Sequence, residues 1–441
     1  MKLALTAIVG CGICLAFSAV HAQSFAASGT VVVPESSTEK PEDIGYRSHT
    51  NILLYELREP LAPPRPFAGE STRASTNGAE TSASIRSRQS AGIPAAGPGS
   101  NFFETPASLA CVYGLTPPVA GCSPAVATAL PIGGGRALAI VDAYDDPDAA
   151  ADLAAFDTQF GIASANFQVV YASGTKPPVD PTGGWEIEES LDIEWSHAMA
   201  PNAALFLVEA ASDKNTDLLS AVSVANQLVA QAGGGEVSMS WGSSEFAKEV
   251  GDESYFQTPT VVYLAGSGDS PGQIWPSVSP NIVSAGGSTV SRNPATGSFQ
   301  QEVVWANTGS GPSSFFAIPS YQAPLAGIIG KHRATPDLVF DADPHTGVWI
   351  YDTYPARGKP GWRVVGGTSI AAPSLAGVIN SAGSFYASSS AELTQIYSDL
   401  GQFIGFTDIV SGTCYHYAGY FAASGWDYCS GVGSVSGYQG K

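Results

Sequence analysis

From residue 104 onward, short apolar runs alternate with segments in which apolar residues recur every three or four positions. The run RALAIVDAY at 136–144 predicts a buried strand, and the periodic segment DAAADLAAFDTQF after it predicts a helix. Further apolar runs predict strands at 167–172, 203–210, 236–241, 260–265, 281–286 and 347–351, and helical periodicity recurs at 216–231 and after Ser369. Such alternation predicts an α/β fold, with a mostly parallel central sheet and helices on both faces.

Residues 23–103 have a different composition. They are rich in Pro, Ser, Thr, Ala and Gly, and their one apolar cluster is NILLY at 51–55. Segments of this composition bury too little apolar surface to form a core, so we interpret 23–103 as a low-complexity leader or linker. The predicted domain then comprises residues 104–441.

Residues 1–22, MKLALTAIVGCGICLAFSAVHA, have the pattern of a secretory signal: a basic residue near the start, an apolar stretch, and small residues before Gln23. A lipoprotein signal ending at Cys11 is the alternative. No other stretch is long and apolar enough to span a membrane. Four cysteines follow the signal, and an even number in an exported chain favours disulfides. Of the three possible connectivities, sequence proximity favours Cys111–Cys122 with Cys414–Cys429.

The chain is strongly acidic: its 441 residues carry 19 Lys plus Arg against 39 Asp plus Glu, a formal net charge of -20. Nucleic acids and anionic lipids repel such a surface, so neither is an expected partner. Protonation of carboxylates at low pH would relieve the repulsion within the chain, which makes an acidic working environment a reasonable hypothesis.

The segment GGTSIAAPSLAG at 366–377 suits an activated serine, because Ser369 would lie at a helix N-terminus where unpaired N–H groups face developing negative charge. A serine hydroxyl needs a base, which is usually histidine. A subtilisin-type triad would combine Ser369 with Asp142 and His197, but EWSHAMAP lacks the glycines that let histidine and substrate approach. For each histidine a structural or surface role is the better explanation.

Carboxylates are the other candidates. In WEIEESLDIEWSHAMAP, Glu188 and Asp192 are four residues apart and therefore share one face of a predicted helix. Asp269 lies in the glycine-rich loop GSGDS directly after an apolar strand. Taken alone, acids near a helix N-terminus are explained by the helix dipole, and an aspartate in such a loop is usually a turn residue.

Taken together, these segments resemble the sedolisin family, the serine-carboxyl peptidases, from about residue 104 to the end of the chain. The family's blocks occur in the expected order: the Glu-x-x-x-Asp helix, SMSWG, GSGDS, WPSVSPNIVSAGGS, ATPDLVFDADPHTG and GGTSIAAP. The resemblance implies a subtilisin-like three-layer fold. It also implies that Ser369 is the nucleophile, Glu188 its general base, Asp192 the partner that orients Glu188, and Asp269 the acid of the oxyanion hole.

The chemistry of such a site is consistent with acidic pH. Two carboxyl groups that share a site do not easily both ionise, so a proton is held between Glu188 and Asp192. To donate a hydrogen bond to an oxyanion, Asp269 must itself be protonated. The resemblance therefore predicts a peptidase whose activity falls as Asp269 loses its proton.

The resemblance also implies one structural Ca²⁺ near the C-terminus. FTDIVSG and AASGWD resemble the two segments of the family's site, and the matching positions are Asp408, Ile409, Ala423, Gly425 and Asp427. Two carboxylates and backbone carbonyls supply the oxygen ligands that Ca²⁺ prefers. Ala423 stands where the family has glycine, which matters little for a backbone ligand.

The sequence therefore predicts a secreted, monomeric serine-carboxyl endopeptidase that acts on proteins or peptides. Two alternatives stay open: a Ser/His/Asp protease of the subtilisin type, and a non-catalytic secreted binding protein on a peptidase scaffold. The family usually has a large folded prodomain, whereas this chain has only residues 23–103 before its domain. Whether that leader is a reduced propeptide is left open by the sequence.

Overall fold

The structure, a computed structural model, describes residues 29–58, 63, 102–354, 360–398, 400–402, 404–414 and 420–441. The predicted signal at 1–22 and much of the predicted leader lie outside these residues. Within the described ranges, we find no helix with the length and hydropathy required to cross a membrane.

The strands are β1 (Gly29–Val32), β2 (His49–Thr50), β3 (Leu53–Leu57), β4 (Ala137–Ala143), β5 (Asn166–Tyr171), β6 (Ala204–Ala210), β7 (Gly235–Met239), β8 (Trp241–Ser244), β9 (Val261–Gly266), β10 (Ile274–Trp275), β11 (Val283–Arg292), β12 (Phe299–Val304), β13 (Gly311–Ala317), β14 (His332–Thr335), β15 (Leu338–Asp341), β16 (Val348–Asp352), β17 (Gly361–Gly366), β18 (Phe406–Thr407), β19 (Thr413–Cys414), β20 (Tyr420–Phe421) and β21 (Ser434–Val435). The α-helices are α1 (Pro106–Val112), α2 (Ala149–Phe160), α3 (Gly184–Met199), α4 (Asn215–Gln231), α5 (Ala326–Ile329), α6 (Thr368–Ala382) and α7 (Ser389–Ser398). Short 3-10 helices lie at Glu35–Ser37, Ala120–Cys122, Glu249–Phe256 and Ser320–Leu325.

The central sheet has the strand order β18-β21-β15-β11-β9-β7-β4-β6-β5, and β12 pairs with β11. The pairs from β5 to β21 along this order are parallel, and only β18 and β12 run antiparallel to their neighbours. The predicted strands are present, with ends that differ by a few residues. The α/β fold with a mostly parallel sheet is confirmed.

Two apolar cores lie on opposite faces of this sheet. One core joins α2, α3 and α6 to the sheet, and the other joins α4 to it. Helices α3 and α6 pack closely because Gly377 has no side chain: a β-carbon there would come within 2.7 Å of both the Met199 Cβ and the Ser196 carbonyl oxygen. This close contact brings the start of α6 beside the acidic residues of α3.

The predicted leader needs a correction over residues 29–58. Strand β3 pairs with β1 and with β17, and β2 pairs antiparallel with β8. The apolar cluster at 51–55 is buried, with Ile52 at 0% exposure. These residues therefore belong to the sheets of the domain. The polar and proline-containing residues around the cluster gave no strand pattern for β2 and β3. Their partners β8 and β17 lie far along the chain.

The cysteine pairs favoured by sequence proximity are those that the structure brings together. The sulfur atoms are 2.05 Å apart for Cys111 and Cys122, and 2.04 Å apart for Cys414 and Cys429. The second pair lies in a small apolar cluster with Ile409, and it thereby ties the two candidate calcium segments to the domain.

Candidate active site

Ser369 is the second residue of α6 and is completely buried. Its hydroxyl donates a hydrogen bond to the carbonyl of Ser240, with 3.3 Å between the oxygens. Pro373 has no N–H for the carbonyl of Ser369 one turn back, and that carbonyl accepts from the Ser240 hydroxyl at 3.4 Å instead. Ser369 is thus tied to the end of β7 through both its side chain and its carbonyl group.

Glu188 and Asp192 lie one turn apart on α3, all sixteen residues of which are buried. Asp192 Oδ1 accepts a hydrogen bond from Ser240 Oγ at 2.9 Å, so one serine contacts both Asp192 and Ser369. Burial raises the pKa of Glu188 well above its usual range, and the charge of Asp142 raises it further, whereas contacts with Ser369 and Asp192 act in the opposite direction. Among the described residues, neither oxygen of Glu188 has a hydrogen-bond partner of standard geometry.

Asp142 also belongs to this acidic group. It lies near the carboxyl end of β4, it is fully buried, and burial raises its pKa to about 8. Its negative charge in turn raises the pKa values of both Glu188 and Asp192. The sequence pattern indicated Asp142 only as a member of a possible histidine triad. Asp142 is the penultimate residue of β4. This position could have marked it as a site residue, since functional side chains collect at the carboxyl edge of parallel sheets.

Asp269 approaches Ser369 from the loop after β9. Its Oδ1 accepts from the backbone N–H of Thr368 at 2.7 Å and from the Thr368 hydroxyl at 3.0 Å. Its Oδ2 is buried and has no hydrogen-bond partner within the described part of the chain. Because desolvation raises the pKa of Asp269 to about 7, its carboxyl group can hold a proton at Oδ2 under acidic conditions.

A backbone carbonyl from residues 29–58 occupies the space between these groups. The N–H of Ser369 donates to the carbonyl oxygen of Asn51 at 3.1 Å. A β-carbon on Gly367 would come within 2.1 Å of that oxygen and within 2.5 Å of Asp269 Oδ2, so both oxygens face the same small space. Gly367 has φ of 106°, a conformation that side chains disfavour. The Ser369 N–H therefore donates to this carbonyl, and Asp269 Oδ2 is a second potential donor beside the same space.

The structure does not bring His197 to Ser369. The Nε2 atom of His197 lies 2.8 Å from the carbonyl of Ala163 and 3.4 Å from Asp157 Oδ2, on the side of α3 that meets α2. His332 is exposed, and His345 contacts Asp343 on the surface. Each of these three histidines has a structural or surface position, and His416 lies outside the described residues.

The five predicted calcium ligands lie in two neighbouring turns. Asp408 Oδ2 accepts from the N–H of Gly425 at 2.9 Å, and Asp427 Oδ2 accepts from the N–H of Ala423 at 2.8 Å. Asp408 Oδ1 is buried without a partner among the described residues, and the Ile409 carbonyl accepts a long bond from Ser430 Oγ at 3.5 Å. These oxygens fit a hard cation. The described ranges hold no cluster of three His, Cys, Asp or Glu residues suited to a metal, so backbone carbonyls would supply most ligands.

Comparisons with known proteins find two relatives at 27% identity. Sedolisin from Pseudomonas sp. (strain 101) is 27% identical over 336 residues, which cover 64% of this chain and 53% of that protein. Kumamolisin from Bacillus sp. (strain MN-32) is 27% identical over 356 residues, 70% of this chain and 59% of that protein. The chain therefore spans little more than half the length of these relatives. No protein-family profile matches it.

A solved structure shows the same fold. Pseudomonas sedolisin, a serine-carboxyl proteinase in complex with two molecules of pseudo-iodotyrostatin, superposes with a TM-score of 0.62 at 22% identity. The superposition covers 77% of this chain and 96% of that one. The predicted three-layer, subtilisin-like architecture is confirmed at the level of the fold.

Proposed function

We propose that this chain, which is related to the sedolisins in sequence and in fold, is a secreted serine-carboxyl endopeptidase that hydrolyses peptide bonds of proteins at acidic pH. One observation carries the proposal: the acidic pair on α3 contacts Ser369 directly or through Ser240, and Asp269 lies beside the carbonyl to which the Ser369 N–H donates. Export rests on the signal pattern at 1–22.

In the proposed reaction, Glu188 removes the proton of the Ser369 hydroxyl as its oxygen attacks the substrate carbonyl carbon. That hydroxyl points to the Ser240 carbonyl in this structure, and rotation about its side-chain bond redirects it to Glu188. Asp192, held by Ser240, shares the proton that Glu188 receives. Glu188 then returns the proton to the leaving amine, and water hydrolyses the acyl-enzyme by the same route in reverse.

The negative charge on the tetrahedral intermediate is stabilised by the two donors described above. The Ser369 N–H is present at every pH, but Asp269 Oδ2 donates only when it is protonated. Because both donors are already in place and desolvated, they need little rearrangement as charge develops. Activity should therefore be highest below the pKa of Asp269.

Replacement of Asp269 by asparagine tests this assignment through the pH profile. Wild-type activity should be present below pH 7 and lost as pH rises through the Asp269 pKa of about 7. The asparagine amide donates at any pH, so Asp269→Asn should move the alkaline limit upward and retain acidic activity within about tenfold. Asp269→Ala, the matched control, should lose on the order of a hundredfold in kcat below pH 7, where wild-type Asp269 is protonated. An alkaline limit that does not move in Asp269→Asn would contradict the role of Asp269.

We also propose that Asp408, Ile409, Ala423, Gly425 and Asp427 hold one structural Ca²⁺, a role supported by the unpartnered Asp408 Oδ1. Chelation with EDTA should then lower Tm by about 5 °C, since a bound ion stabilises only the folded state. Differential scanning calorimetry of the Ser369→Ala variant, which avoids self-digestion, measures the shift. Asp408→Asn should melt at a lower temperature and no longer respond to EDTA. An unchanged Tm after chelation of the parent would remove the site from the proposal.

A further inference from the structure

Thr368 connects the candidate nucleophile to the acid of the proposed oxyanion hole. It is the first residue of α6, directly before Ser369, and it is completely buried. Its backbone N–H and its hydroxyl both donate to Asp269 Oδ1, at 2.7 and 3.0 Å. The reaction proposed above gives Thr368 no role, although this residue contacts the carboxyl group whose proton the reaction needs.

The hydrogen bonds around the Thr368 hydroxyl fix its direction. The N–H of Gly268 donates to Thr368 Oγ1 at 3.0 Å, so this oxygen is already used as an acceptor. The hydroxyl proton is directed to Asp269 Oδ1 instead. Asp269 Oδ1 therefore accepts two hydrogen bonds from Thr368, and one of them comes from a backbone N–H, which can only donate.

This pattern determines which oxygen of Asp269 carries the proton. In a protonated carboxyl group, the oxygen that accepts two hydrogen bonds is the carbonyl oxygen, so the proton resides on the other one. That oxygen, Oδ2, lies beside Gly367 and the carbonyl to which the Ser369 N–H donates. We infer that Thr368 is a positioning residue, whose hydroxyl keeps the proton of Asp269 on Oδ2, where it can be donated to the oxyanion. This inference rests on the proposed function.

The methyl group of Thr368 holds the hydroxyl in this orientation. A β-carbon on Gly287 would lie 3.6 Å from the Thr368 methyl carbon and 2.7 Å from the Trp305 ring, so the methyl group packs toward an apolar surface. Threonine is branched at Cβ, and its methyl and hydroxyl groups therefore turn together. Packing of the methyl group thus also fixes the hydroxyl.

The loop that carries Asp269 is held from its other side by backbone contacts. The N–H of Gly309 donates to the carbonyl of Gly268 at 2.7 Å. A β-carbon on Gly309 would come within 1.8 Å of the Ser267 carbonyl oxygen, so the two backbones approach closely. The loop is therefore confined between Gly309 and α6, and the carboxyl group of Asp269 stays beside Thr368.

The charges around Asp269 give the loss of the hydroxyl a distinctive signature. Helix α3 faces Asp269 with Glu188, whose pKa is raised by the charge of Asp269, whereas α6 faces it with the uncharged Thr368. Burial raises the pKa of Asp269 to about 7, and the hydrogen bonds from Thr368 act in the opposite direction. Without the hydroxyl, Asp269 should hold its proton to higher pH but place it on Oδ2 less reliably.

Thr368→Val keeps the branched shape and removes the hydroxyl. Its kcat at about pH 4 should fall by about fivefold, less than in Asp269→Ala because the backbone N–H remains. KM should change by less than about twofold, since Thr368 is buried and an interaction specific to the transition state is lost. The alkaline limit of activity should rise by about one pH unit. Thr368→Ser, the conservative variant, should restore both kcat and the limit.

A titration that needs no turnover measures the same effect directly. In Ser369→Ala protein with isotope-labelled aspartate carboxyl groups, NMR spectroscopy follows Asp269, identified as the signal that Asp269→Asn removes. Addition of Thr368→Val should raise the pKa of this group, and addition of Thr368→Ser should not. Circular dichroism should show that each variant is folded before its titration is compared.

The outcomes separate this inference from the proposed function. An Asp269 pKa that stays the same or falls in Thr368→Val overturns the inference, and so does a Thr368→Ser variant that behaves like Thr368→Val. A loss confined to KM also overturns it. In an Asp269→Asn background, Thr368→Val should leave the alkaline limit in place, because the amide does not titrate. If the wild-type protein hydrolyses no peptide in acid, the proposed function fails, whereas the NMR titration still tests the role of Thr368.

Discussion

Ser369→Ala and Glu188→Gln should each lower the hydrolysis of an unfolded protein at about pH 4 by about 10⁴-fold or more, because removal of one member of a nucleophile–base unit disables the whole unit. Alanine has no hydroxyl to attack the substrate, and glutamine cannot accept its proton. The double variant should be no worse than either single variant, since the two residues act in the same step. Release of new amino termini, followed over time, measures the loss.

His197→Ala is the matched control for these two variants. His197 contacts Ala163 and Asp157 rather than Ser369, so its loss should change stability more than kcat. Circular dichroism should show that every variant is folded before its rate is compared. Loss of activity in His197→Ala with activity retained in Glu188→Gln would favour a Ser/His/Asp protease. Equal behaviour of all variants, with no turnover in any, would favour a non-catalytic binding protein.

The free energy of unfolding should fall steeply as the solution is taken from acidic to mildly alkaline pH. Burial raises the pKa of Asp142, Asp146 and Glu186 to about 8, and that of Glu209 to about 9. Unfolded carboxyl groups titrate near pH 4, so the folded state binds more protons between these values. The stabilisation is complete below about pH 4 and is lost as pH rises toward 8 or 9.

The expected size of this effect is a fall in Tm of about 10 °C or more between pH 4 and pH 8, since several buried groups lose protons together. Calorimetry of Ser369→Ala measures it without self-digestion. Glu209, whose oxygens have no hydrogen-bond partner among the described residues, offers the sharpest variant. Glu209→Gln should raise Tm at pH 8 and change it little at pH 4. Glu42→Gln, at an exposed position, should do neither. A Tm that rises with pH would contradict the assigned burial of these acids.

The candidate residues of the site came from the sequence through its resemblance to the sedolisin family. The spacing of Glu188 and Asp192 on one helix face, the glycine-flanked Ser369 and the loop around Asp269 are each visible in a few adjacent residues, but taken alone the acids have ordinary structural explanations. Apolar runs and helical periodicity likewise predicted the parallel sheet, because the period of a pattern reflects which face of a strand or helix is buried.

Contacts between distant segments were not readable in this way. Asp142 raises the pKa of Glu188 and of Asp192, and it lies near these two residues of α3 only in the folded chain. His197 was a candidate base until packing directed it toward α2. The residues next to Asp142 and His197 in the sequence do not reveal the role of either side chain. Burial and nearby charges in the folded chain determine the pKa of an ionisable group.

The sequence by itself determined the α/β architecture, the acidic balance of the chain and the identities of the candidate nucleophile and acids. Only the tertiary structure decided that residues 29–58 fold into the domain and that the Asn51 carbonyl meets Ser369. Strand β2 is two residues long and its partner β8 lies far along the chain, so no period marks the pairing. The position of β2 depends on backbone hydrogen bonds and on the shape of a cleft formed by other segments. The composition of residues 23–103 indicates neither of these.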